Sequence, residues 1–287
     1  AIEYDCIDPI SMYPSLESRY LAGLFTAGQI NGSSGYEEAA AQGLVAGINA
    51  AHYVKGIPPL ILDRSEAYIG VLIDDLVTKG TAEPYRMMTS RAEYRLCLRQ
   101  DNADERLTEY GRVIGLISDD RYQEFLAKKT AVAFEEQRLR STHLAPSEEL
   151  AAVLMTLGST PPPSGISLAD LLRRPEVHYS DLAPVDAKRT ALPESITFAV
   201  EVNIKYEGYI RLEADRIRKF KALEHKALPK DLPYDEITGL RIEARQKLLR
   251  QKPVSLGQAS RISGVSPADI AVLLVYLEAR RRREGSL

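Results

Sequence analysis

The chain has 287 residues, enough for one large domain or two ordinary ones, which run roughly 100 to 200 residues each. Hydrophobic residues make up 45% and charged residues 27%, which excludes a wholly disordered, collagen-like or fibrous chain. The net charge of −3 hides an asymmetry: residues 1–204 carry 19 Lys and Arg against 29 Asp and Glu, whereas residues 205–287 carry 18 against 11. The basic carboxyl-terminal third can attract a polyanion or an acidic surface, or be an ordinary set of solvated helix faces. No run approaches the roughly 18 to 20 apolar residues of a membrane span, and Ala1 to Asp5 is unlike a signal peptide, so no membrane is expected. Cys6 and Cys97 are too few for a disulfide framework and form no C-x-x-C; a reducing, cytoplasmic setting is expected. His52, His143, His178 and His225 lie far apart, so no metal site is expected either.

In chain order, Leu21, Leu24, Phe25 and Thr26 read as a short buried strand, broken by the glycine-rich run Gly28 to Gly35. An alanine-dense helix is predicted from Tyr36 to Tyr53, with Glu37 and Glu38 in its first turn and Gly56 and Pro58-Pro59 ending it. The first forty residues read like the end of a domain rather than its start. From Ser65 to about Arg140 helices dominate, with Asp101 or Asn102 and Ser118 or Asp119 as caps. Tyr94, Leu96 and Leu98 alternate with Arg95, Cys97 and Arg99, which predicts a strand among those helices. Six proline or glycine interruptions make 158–193 a connector with at most short helices, such as Ser167 to Arg174. One long amphipathic helix follows, Ser195 to His225, and then a small bundle from Tyr234–Gly239, Arg241–Gln251, Ser255–Ser263 and Pro267–Arg283.

The sharpest local chemistry lies in Gly23 to Gly32 with Gly35 behind it. Glycines let a backbone approach a ligand closely, and free N–H groups at a helix start suit an oxygen-rich or anionic group. Gln29 can donate and accept, as a hydroxyl chain requires. The bland alternative is a tight turn that needs glycine for packing alone.

The run "GLFTAGQINGSSGYEEAAAQGLVAGIN" (23–49) resembles the last strand and helix of the flavin domain in the MnmG (GidA) family of tRNA uridine 5-carboxymethylaminomethyl modification enzymes. "AYIGVLIDDLVTKGTAEPYRMMTSRAEYRLCLRQDNADERL" (67–107), "IKYEGYI" (204–210) and "KPVSLGQASRISGVSP" (252–267) resemble further signatures of that family in the same order. The resemblance implies a flavoenzyme that works with a partner GTPase (MnmE) on the wobble uridine of tRNA. It uses FAD, NADH and methylene-tetrahydrofolate as carbon donor, and acts as a homodimer. The family's G-x-G-x-x-G fingerprint, nicotinamide-binding insertion and implicated cysteines belong to its amino-terminal half. No G-x-G-x-x-G occurs here, so the chain reads as the carboxyl-terminal half. No catalytic residue is assigned within it, and by itself it is expected to be inactive and to bind FAD weakly or not at all.

Carried over residue by residue, the resemblance makes Gln29 the flavin-contacting position, with Asn31, Gly32, Gly35, Tyr36 and Glu37 in the same signature. Arg86, Arg91 and Arg95 can grip tRNA phosphates while Tyr85 and Tyr94 stack on bases, or can be salt-bridged parts of the fold. Lys205, Arg211, Arg218 and Lys219 form a stripe suited to tracking an RNA backbone, and Arg280 and Arg281 extend the basic surface. Cys97 reads as a half-buried structural thiol. Ser260, Gly264, Val265, Ser266 and Ile270 fall at helix-turn-helix offsets. The would-be recognition helix is nearly all apolar and cannot read base edges, so no DNA binding is expected. Ile270, Leu273, Leu274 and Leu277 are instead expected to meet a core or a partner surface.

The expected fold is therefore mainly α: the end of an α/β FAD-binding domain, then helical domains closing in a small bundle. The expected divisions are 1–60, 61–193 and 194–287. Two other readings stand beside the flavoenzyme, a noncatalytic nucleic-acid-binding helical module and the related folate- and FAD-dependent tRNA uridine methyltransferase.

Overall fold

The computed structural model describes residues 5–224, 226–229 and 231–284. The fold is mainly helical, as expected, with 57% helix and 4% strand. Ten helices are described: α1 (Tyr36–Lys55), α2 (Tyr68–Lys79), α3 (Ala103–Val113), α4 (Asp119–Ser141), α5 (Glu148–Thr156), α6 (Leu168–Leu172), α7 (Glu194–Glu224), α8 (Ile242–Gln251), α9 (Leu256–Arg261) and α10 (Pro267–Glu284). Ser118 caps α4 through its hydroxyl, and Gly56 in the left-handed region closes α1. The predicted long helix stands as α7; its expected last residue, His225, lies outside the described residues.

The chain divides into two compact units, residues 1–95 with 215–287, and residues 96–214. These bounds differ from the expected 1–60, 61–193 and 194–287, because the last residues of α7 and the carboxyl-terminal bundle join the first 95 residues in one unit. That unit holds three apolar clusters. Met12, Leu16, Val45, Ala46, Ile73 and Val77 pack where α1 meets α2, and Leu72, Leu76 and Tyr85 pack on the other side of α2. A third core, including Leu240, Leu248, Leu256, Ile262 and Leu273, lies within the bundle of α8, α9 and α10.

The second unit is built on leucines of α4, α5 and α6 against Ile196, Val200 and Ile204 of α7. Beside that core sits a closed polar cluster. Arg138 reaches Glu135 at 2.7 Å and Asp186 at 2.6 Å, and the Tyr179 hydroxyl donates to Glu135 at 2.7 Å. The unit also holds the one sheet among the described residues, the antiparallel pair β1 (His143–Leu144) and β2 (Ile166–Ser167).

Three sequence expectations are corrected. Residues 21–26 form no strand: Leu21 is 62% exposed, and Phe25 makes an isolated bridge to Glu17. Residues 94–99 are bends and turns in which Tyr94 and Leu98 are buried, so the alternation reflects successive turns rather than pleat. Residues 234–239 are turns, not a helix, held by Tyr234 and Ile237 buried in the bundle core.

Candidate functional site

The glycine-rich segment folds as a short 3-10 turn, Gly28–Asn31, closed by Gly32 at φ 77°. That positive φ favours glycine, and a β-carbon there would come within 2.6 Å of Thr81 Oγ1. The inside of the turn is polar and closed around Gln42, which is fully buried on α1. Its Oε1 accepts from Gly28 N (3.1 Å) and Asn31 Nδ2 (2.9 Å), and its Nε2 donates to Ser33 Oγ (2.8 Å). Ser33 Oγ in turn donates to the Gly28 carbonyl at 2.9 Å. Gln42 was not marked by the sequence reading, although a glutamine in an alanine-dense helix, flanked in the fold by the buried Val45 and Ala46, is a polar group in need of partners.

Asn31, Gly32 and Gly35 thus belong to the scaffold. Asn31 points inward, and a β-carbon on Gly35 would overlap the Glu38 carboxylate. Glu38 is buried, and its Oε1 accepts from Met87 N (2.7 Å) and Arg86 Nε (3.3 Å). Burial opposes its charge, but the Met87 N–H and Arg86 outweigh that and hold the carboxyl below the usual range. Outside the turn, Gln29, Ser34, Tyr36 and Glu37 are exposed. Helix α1 starts at Gly35 without a side-chain cap. Among the described residues, the N–H groups of Tyr36 and Glu37 therefore have no acceptor, the arrangement that receives ligand oxygens at a helix start.

The turn is tied to an ionic cluster. Tyr85 N donates to the Gly32 carbonyl at 2.7 Å, and the Tyr85 hydroxyl donates to Asp75 at 2.9 Å. Asp75 also takes Arg64 (2.7 Å) and Lys79 (2.7 Å). Arg64, 2% exposed, further reaches Asp74 (3.1 Å) and Glu93 (2.8 Å). Burial alone would lower its pKa, but these carboxylates raise it, so the guanidinium stays charged. Burial and the Asp75 charge likewise push the Tyr85 hydroxyl upward. A lone arginine in "LDRSEA" gives no hint of this role; the signal lies in Asp74-Asp75 within an otherwise apolar helix, which demands a counter-charge.

The expected base-stacking tyrosines are not available. Tyr85 and Tyr94 are buried, the first beneath Arg91 (4.3 Å to the ring centroid), the second against Phe220 (5.8 Å). Arg91 also donates to the Arg86 carbonyl at 2.9 Å. Lys205 is spent internally as well: its Nζ donates to the Arg174 and Pro175 carbonyls and lies 3.5 Å from Glu201. Arg218 pairs with Asp215, and Arg280 lies 3.8 Å from Asp231. Arg95, Arg211, Lys219 and Arg281 are exposed, and none makes an ion pair among the described residues. Arg86 is 59% exposed despite its contact with Glu38. Of the two surfaces expected for the apolar face of α10, the structure shows the core. Ile270 and Leu273 lie in the bundle core, with Leu274 and Leu277 packed against it.

Three family models match in chain order: "Glucose inhibited division protein A" over residues 1–58, "tRNA modifying enzyme MnmG/GidA C-terminal helical domain" over 119–214, and "tRNA modifying enzyme MnmG/GidA C-terminal helical bundle" over 216–286. The chain belongs to the MnmG/GidA family. It is 58% identical to the tRNA uridine 5-carboxymethylaminomethyl modification enzyme MnmG of Caldicellulosiruptor saccharolyticus over 98% of the chain and 45% of that protein. To the enzyme of the same name from Lachnoclostridium phytofermentans it is 59% identical, over 99% of the chain and 45% of the relative. Aquifex aeolicus GidA superposes with a TM-score of 0.82 at 42% identity, over 95% of this chain and 43% of that one. The chain thus spans about half the length of the MnmG relatives it matches. The helical bundle α8–α10 and residues 119–214 of the second unit fall in segments described as carboxyl-terminal in this tRNA-modifying family.

Proposed function

We propose that this chain forms the carboxyl-terminal part of an FAD-dependent enzyme that, with a partner GTPase, installs the carboxymethylaminomethyl group at C5 of the tRNA wobble uridine. Its share of the work is one wall of the flavin site and a docking surface for tRNA and for the GTPase. The observation that carries the flavin assignment is the pairing of exposed Gln29 with the uncapped start of α1 at Tyr36 and Glu37. These groups offer two amide N–H donors and one amphoteric side chain, which fit the neutral oxygen- and nitrogen-bearing end of a flavin. They do not fit its pyrophosphate, because Glu37 and Glu38 put negative charge in the same helical turn. The cofactor supplies redox chemistry when bound, and Gln29 and the α1 start orient one edge of it. NADH and methylene-tetrahydrofolate belong to the same proposed reaction and have no residues in this chain assigned to them.

For tRNA, the cations that support the reading are Arg95, Arg211, Lys219 and Arg281, with Arg86, 59% exposed despite its contact with Glu38; Arg91, Lys205, Arg218 and Arg280 are engaged by partners of their own. Titrating tRNA into the protein at two salt concentrations tests it. Binding that weakens with salt and weakens further in Arg211→Glu and Lys219→Glu is the expected result. Salt-independent binding, or binding unmoved by both reversals, would remove RNA docking from this chain and leave the GTPase-contacting role.

A further inference from the structure

A second site lies in the same unit and has no part in the reading above. A cavity of about 680 Å³ opens between residues 8–20, the trio Leu228, Pro229 and Tyr234, and the segment 250–254, within the roughly 300–1,000 Å³ range of small-molecule pockets. Among the described residues three cations line it, Arg19, Arg250 and Lys252, against one carboxylate, Asp8. Arg19 is fixed by its Nε donating to the Met12 carbonyl (2.9 Å) and by lying over the Tyr13 ring (4.9 Å), and it makes no ion pair among the described residues. Asp8 sits 3.9 Å from Arg250 and leaves the excess positive charge in place. Arg250 and Lys252 also suit the negative end of α8, but Arg19 is far from that helix in sequence and has no such explanation.

Two further features point to a ligand. Lys252 caps α8 at φ 45°, ψ 60°, a left-handed conformation that normally favours glycine, so a cation stands there at a conformational cost. Tyr20, 82% exposed, lines the cavity, as does Tyr13. An aromatic face next to clustered cations is the pairing that recognises a base and its phosphate.

We propose that this cavity binds a single nucleotide unit, with the phosphate held by Arg19, Arg250 and Lys252 and the base on Tyr20. Calorimetric titration of the whole chain with AMP, with inorganic phosphate and adenosine in parallel, is the test. AMP is expected to bind saturably and more tightly than either component. Arg250→Glu and Tyr20→Ala, both at exposed positions, should each weaken it about tenfold. Lys252→Gly relieves the backbone, so it should weaken AMP while leaving the melting temperature unchanged or higher. A short oligoadenylate that matches AMP and loses the same factor in Tyr20→Ala assigns the nucleotide to an RNA chain; binding of AMP alone assigns it to a free nucleotide. Absence of AMP binding, AMP no tighter than inorganic phosphate, or binding indifferent to all three substitutions would overturn the proposal.

Discussion

Arg261 on α9 grips Asp74 on α2 with two parallel hydrogen bonds of 2.7 Å, and the two side chains are 10% and 13% exposed. A fork of this kind fixes geometry as well as charge. It ties the carboxyl-terminal bundle to the helix whose next residue, Asp75, holds Tyr85 and so the glycine-rich turn.

Arg261→Ala should therefore destabilise the first unit by about 2–4 kcal/mol, since among the described residues Asp74 keeps only Arg64 as a cation. Arg261→Lys retains the charge and loses the fork, and should fall between the two. Urea unfolding of the three proteins measures this; equal midpoints would show that the pair contributes nothing net.

Gly35→Ala places a methyl group on the Glu38 carboxylate. Either the start of α1 moves, or Glu38 releases Met87 N and Arg86, at about 1–3 kcal/mol. The double variant Gly35→Ala with Glu38→Ala should recover part of the loss in thermal unfolding, because the clash is gone. A double variant less stable than the sum of the singles would contradict this account.

Asp269 accepts from Arg241 Nε and Nη2 and from Ser266 N and Oγ, all at 2.7–3.3 Å. Arg241, and then Ser266, hold its carboxyl far below the ordinary value against the opposing effect of burial. Because the folded state binds the proton more weakly than the unfolded one, the contribution is whole above the unfolded pKa of about 4 and drains away as pH falls below it. Asp269→Asn should flatten the acid side of the curve of melting temperature against pH. An unchanged curve would show that Asp269 does not set the acid limit.

Cys97 is half-buried, and burial followed by the Glu213 carboxylate pushes its thiol up to about 12. Cys6 is exposed. A thiol reagent at mildly alkaline pH should modify one cysteine quickly in the folded protein, and none quickly in Cys6→Ser until denaturant is added. Fast labelling of Cys6→Ser would place Cys97 in a reactive environment instead.

The helices were legible where the sequence carries its own punctuation. Glu37, Glu38 and Gly56 bracket α1 to within two residues of its described end, and the proline-free run after Pro193 became α7. What failed depended on partners distant in sequence. Leu21 to Thr26 has strand composition, but a strand exists only against a neighbour, and here one bridge to Glu17 is all that forms. Local spacing could not show that Tyr85 would be roofed by Arg91 or Lys205 absorbed by carbonyls some thirty residues upstream. At the candidate site, sequence located the turn and Gln29 on its outer face. It could not separate Asn31 and Gly35, which hold the turn from within, from Tyr36 and Glu37, which face outward.

The Asp74–Arg261 contact joins residues 187 positions apart. Chains emerge from the ribosome amino-terminus first, so Arg64 is available to Asp74 long before Arg261 is. Attachment of the bundle to α2 is consequently a late event in biogenesis. A ribosome stalled before residue 261 would display α2 with an aspartate still short of one counter-charge.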